Sequence, residues 1–146
     1  MKKMFFVLLL AVSGTIVFAQ HTDSLVSGYI NIKNALVNSD SKLAAKSINS
    51  FYQQLKSGKA FEQKDALLKA TEKMQKAGDL EKQRAAFNDV STLMWKAVKD
   101  IKPNQQLYYQ YCSMKKAYWL SKEKEIKNPY YGSAMLGCGN VAESLQ

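Results

Sequence analysis

Two cysteines and two methionines near the end of the chain stand out chemically, in the segments Cys112-Ser113-Met114 and Met135-Leu136-Gly137-Cys138. Thiolates and thioethers are soft ligands, and together they select Cu(I) or Ag(I) over hard cations; zinc takes thiolate, nitrogen and oxygen but not thioether. Met135 and Cys138, three apart, share a face if they lie on a short helix. Cys112 and Met114, two apart, share one only on an extended backbone. The candidate metal set is therefore Cys112, Met114, Met135 and Cys138, a subset of which suffices for Cu(I).

The same cysteines suit a second chemistry. In an oxidising compartment two thiols 26 residues apart form a disulfide, which in the chain-entropy picture stabilises a small domain by about 3–4 kcal/mol. Methionines are also ordinary core fillers. A bridge and a Cu(I) thiolate site exclude each other at any moment, and spacing leaves both open.

No catalytic residues emerge. The single histidine, His21, lacks a partner for base or zinc chemistry, and neither a nucleophile elbow, a phosphate-cradling glycine loop nor a zinc-protease motif is present. An enzyme is not expected.

The elements that must position the sulfurs follow from apolar periodicity. Leu25, Tyr29, Ile32 and Leu36 predict a helix near 24–38. Leu43, Ile48, Phe51 and Leu55 predict a second near 40–57, with Gly58 as its stop. A third is expected near 60–77, closed by a left-handed Gly78. The fourth, near 79–101, has the clearest stripe: Leu80, Arg84, Phe87, Ser91, Met94, Val98 and Ile101, ended by Pro103. Arg84 in that seam calls for a carboxylate, and Asp40 is the leading structural partner. Residues 104–146 are rich in aromatics and turn residues and read as an irregular cap: extended or irregular over 105–112, with a helical turn or two over 115–125 and a short helix from Ser133. The expected fold is all-α, a four-helix bundle-like domain with an aromatic-rich C-terminal cap.

The start of the chain sets the compartment. Met1-Lys2-Lys3 followed by an apolar run to Ala19 has the form of a secretory signal peptide, with Val17 and Ala19 at the cleavage site. Residues 1–19 are thus expected to be removed, leaving 20–146 as one domain, periplasmic or secreted, with no transmembrane segment after cleavage. Cleavage takes Lys2 and Lys3 from the 21 basic groups, lowering the net charge from +9 to +7. Export and the absence of an arginine cluster argue against nucleic acid as a partner; the spread lysines read as solvated helix faces.

Beyond these physical readings, Asp40, Arg84 with Phe87 and Ser91, Tyr111-Cys112-Ser113-Met114, Trp119-Leu120-Ser121, the run Glu125 to Gly132, and Met135-Leu136-Gly137-Cys138-Gly139 resemble a family of exported bacterial proteins, domain-of-unknown-function family 3347. Members occur alone or fused to periplasmic adaptors of heavy-metal efflux pumps. The resemblance thus implies copper or silver handling and an efflux adaptor or other envelope protein as partner. The family's Cys-Pro-Met and Met-x-x-Cys-Gly segments fall on Cys112, Met114, Met135, Cys138 and Gly139, with Ser113 in place of the proline. The alternative expectation is a non-catalytic envelope interaction domain stapled by a Cys112–Cys138 disulfide.

Overall fold

The computed structural model describes residues 13–146, with side chains from residue 22 onward. Residues 1–12 of the expected signal peptide and the side chain of His21 lie outside the described residues, and the expected cut after Ala19 falls within the first helix. Four helices come first: α1 (Ser13–Val37), α2 (Ser41–Ser57), α3 (Lys64–Gln75) and α4 (Leu80–Ile101). Their apolar stripes converge on one core, in which Tyr29, Leu36, Phe51, Leu67, Phe87 and Met94 are all buried, as amphipathic spacing requires. No helix among the described residues is long and apolar enough to cross a membrane.

Helix ends are set by specific residues. Ser39 takes the left-handed conformation (φ 56°), and the amides of Ser39 and Asp40 donate back to Leu36 and Ala35, a Schellman closure. Asp40 then caps α2, its Oδ1 accepting from the Leu43 amide at 2.9 Å, as Asp79 does for α4. Two expectations are corrected. Helix α3 starts at Lys64 rather than near residue 60, and it closes on Lys76 in the right-handed region, so Gly78 is not the left-handed terminator; Lys102 takes that conformation after α4.

The larger correction is to fold class. The chain is mixed α/β, not all-α: the C-terminal part forms a three-stranded antiparallel sheet of order β2-β1-β3, from β1 (Leu107–Cys112), β2 (Ala117–Ser121) and β3 (Asn140–Leu145). The aromatic runs of β1 and β2 suit a pleated, half-buried surface. Tyr108 faces Ser121 and Cys112 faces Ala117 across a four-residue hairpin loop. On the other side β1 pairs with β3, with a bulge beside Tyr109 and Gln110. No helix forms over 115–125, where β2 runs instead, and the short helix expected from Ser133 is a single 3₁₀ turn, Gly132–Met135.

Aromatic stacking joins the two layers. Trp95 of α4 stacks on Tyr109 at 4.7 Å between centroids, and Tyr109 stacks on Tyr118 at the same distance. Beside them Tyr29, Phe87, Tyr130 and Trp119 form a continuous buried chain. These rings roof the helical core, and Tyr29 bonds both Ser91 of α4 and the Leu120 amide of β2.

Candidate metal centre

Strand β1 ends at Cys112, and the hairpin loop that follows carries Met114. The loop turns through Lys116 in a left-handed conformation (φ 50°). From the other direction the 3₁₀ turn delivers Cys138, whose amide donates to the Met135 carbonyl at 3.1 Å. The next residue, Gly139, has φ 149°, and a Cβ there would meet Trp119 at 2.8 Å and the Tyr111 carbonyl at 2.9 Å. Only glycine lets the chain pass so close beneath β1.

The two segments meet. Cys112 Sγ and Cys138 Sγ are 3.4 Å apart, and Cys138 Sγ lies 3.7 Å from Met114 Sδ. Both cysteines are free thiols. Cys112 is buried, whereas Met114 is 61% and Met135 37% exposed. Of the four predicted ligands, Cys112, Met114 and Cys138 are thus brought together. Met135 joins them through its backbone, with its side chain at the surface.

The two thiols differ electrostatically. Burial pushes the Cys112 thiol up, but hydrogen bonds from the Lys115 amide, the Cys138 thiol, the Asn128 side chain and the Met114 amide outweigh it and bring it below the usual thiol range. Cys138 is pushed up, first by its bond to Cys112 and then by burial. The pair therefore ionises first at Cys112, with Cys138 keeping the proton and donating it. Such N–H donors around a sulfur are what hold and tune a metal-bound thiolate.

Asn128 organises the site and was not singled out in the sequence beyond its place in a turn. It is fully buried. Its Nδ2 donates to the Cys138 carbonyl at 2.6 Å and its Oδ1 accepts from the Tyr130 amide at 2.8 Å, while its own amide donates to Leu136. The Asn-Pro pair was the signal, because an asparagine accepting from the amide two residues on is an Asx turn.

Arg84 locks this segment to the helices, through oxygens other than the expected carboxylate. Its Nε donates to the Pro129 carbonyl at 2.8 Å, and its Nη2 to the Leu36 carbonyl at 2.7 Å and Ser39 Oγ at 2.9 Å. Asp40 serves instead as the α2 cap. The cation thereby satisfies the Leu36 carbonyl at the C-terminus of α1, where the helix dipole favours positive charge. Gly132 closes the cradle: it has φ 57°, and a Cβ would lie 2.7 Å from both Arg84 Nη2 and Ser39 Oγ.

Among the described residues no three His, Cys, Asp or Glu side chains cluster to hold a metal ion; the third sulfur beside the two thiols is a thioether. The arrangement defines a mixed α/β domain with a sulfur-only cluster at the tip of a β-hairpin. Residues 25–106, more than half of the chain, match the model of a family described as protein of unknown function (DUF3347), and the chain belongs to that family. The matched span runs from within α1 through α4 and ends before β1 and Cys112. No curated protein and no solved structure matches the chain.

Proposed function

We propose that the protein binds a soft monovalent cation, Cu(I) or Ag(I), at Cys112, Met114 and Cys138, as a binding protein of the bacterial envelope rather than an enzyme. The observation that carries this reading is the convergence of three sulfurs, with separations of 3.4 and 3.7 Å. A trigonal site with metal–sulfur bonds of about 2.3 Å puts its ligands about 4 Å apart, so a few tenths of an ångström of movement would open the cluster around an ion. The lowered Cys112 thiol supplies a thiolate at little cost, and metal binding would draw the second proton from Cys138. Exposed Met114, and Met135 three residues before Cys138 at the surface, would let the ion be passed by ligand exchange to a partner such as a heavy-metal efflux adaptor. Periplasmic or secreted placement rests on the signal-peptide pattern of residues 1–19.

Anaerobic titration of the reduced protein with Cu(I) against a competing chelator tests the reading. One tightly held equivalent, lost in Cys112→Ser/Cys138→Ser, is expected; failure to compete, or unchanged affinity in that variant, removes it. The sulfur separation of 3.4 Å also favours a second reading, a domain stapled by a Cys112–Cys138 disulfide that docks on an envelope protein. Closing to a bond of about 2.05 Å requires a shift of little more than 1 Å. A mass two hydrogens short in freshly isolated material, restored by reductant and without bound metal, would select that reading.

A further inference from the structure

A groove of about 540 Å³ lies between α4 and the hairpin loop, lined by Glu81, Arg84, Asn88, Lys115, Lys116 and Tyr131 among others. Its volume is that of a small-molecule site, and its charge is unbalanced, with three cations against the single carboxylate of Glu81. Arg84 is held there by its three oxygen partners through Nε and Nη2, which leaves Nη1 without a partner among the described residues. Lys115 is placed by the ring of Tyr131, 4.8 Å beneath its Nζ. Asn88 uses its Oδ1 to accept from the Tyr118 amide, so its Nδ2 is available to donate.

We infer that this groove is a binding site for a small oxyanion, a carboxylate or a phosphate, held by Arg84 Nη1 and flanked by Lys115 and Lys116. A guanidinium already fixed on two of its nitrogens loses little freedom in binding, and charge-assisted bonds from a pre-placed arginine are the strong ones. Lys115 belongs to both sites, since its amide bonds the Cys112 sulfur while its ammonium faces the groove. Anion binding would therefore steady the hairpin loop beside the sulfurs. The inference stands on the groove alone and does not require a metal.

The test is titration of the reduced, metal-free protein with citrate and, separately, with inorganic phosphate, followed by calorimetry and by amide and Arg84 Nε–H NMR shifts. Saturable binding of at least one probe is expected, with shifts confined to residues 81–88, 115–117 and 129–132. The Lys115→Gln/Lys116→Gln variant, on an exposed loop, should weaken binding by about tenfold or more. A control with the same charge loss on the exposed face of α2, Lys42→Gln/Lys46→Gln, should change it by less than about twofold. Tighter binding of citrate assigns a carboxylate ligand, and tighter binding of phosphate a phosphate ligand. No saturation with either probe, or equal weakening by the two lysine variants, overturns the inference.

Discussion

The helical and C-terminal parts of this protein are held together by different means. The four helices use apolar stripes and conventional caps, so their stability is distributed over many interchangeable contacts. The segment from Asn128 to Gly139 has few regular hydrogen bonds of its own. It is held by Arg84 and Asn128, which each satisfy several groups, and by Gly132 and Gly139, where the lack of a side chain allows close approach. A domain can thus place a chemically demanding cluster on an irregular segment if that segment is pinned to a redundant scaffold. Substitutions in the two parts should have different consequences.

The sharpest contrast is expected at Gly132. Gly132→Ala forces a side chain into a left-handed conformation and against Arg84 and Ser39, which should destabilise by about 3 kcal/mol. Chemical denaturation would measure the loss, and reactivity of Cys112 toward a thiol reagent should rise as the cluster loosens. Near-wild-type stability would contradict the pinned-segment account.

Arg84→Leu should cost about 2–3 kcal/mol, because the Pro129 and Leu36 carbonyls lose their donor. Far-ultraviolet circular dichroism of the folded variant should retain the helical signal. By contrast, Asp40→Ala removes only the α2 cap, with an expected loss of about 1 kcal/mol, and should leave Cu(I) affinity unchanged. If Asp40→Ala disturbed the sulfurs as much as Arg84→Leu, the two parts would not be separable in this way.

A smaller effect should appear with pH. Lys33 is almost fully buried and lies 3.7 Å from the exposed Glu123. Burial lowers its pKa, which Glu123 partly restores and Lys127 lowers again. Between the folded and unfolded values the unfolded chain binds more protons, so stability should rise with pH across that alkaline window and lose this increment below it. Lys33→Met should abolish the rise in denaturation curves; a rise that survives would assign it to another group.

How much of this was legible in the sequence follows the same division. The stripes of Leu25 to Leu36 and Leu80 to Ile101 located α4 and the C-terminal half of α1, which starts at Ser13 rather than near residue 24, because helical periodicity is local and repeated. The stretch that forms β1 reads as extended or irregular, but its two partner strands do not show in the sequence. Ala117–Ser121 is only five residues long and is followed by lysines and glutamates that read as helical, while Asn140–Leu145 has a single β-branched residue, Val141, and becomes a strand through pairing with β1. At the site, Cys112, Cys138 and Met114 could be chosen by chemical type. The amides of Met114 and Lys115 at the Cys112 sulfur could not, because every residue has an amide and only the fold aims it. The partner of Arg84 is hidden for a related reason: a charge in a seam suggests a carboxylate, but two backbone carbonyls and a hydroxyl meet the same need.

X-ray absorption at the copper edge of the Cu(I)-loaded, reduced protein reads the ligand shell itself. Cys112, Met114 and Cys138 predict a first shell of sulfur alone, three scatterers falling to two in Met114→Leu. A shell dominated by nitrogen or oxygen, or one that Met114→Leu leaves unchanged, would contradict the assignment.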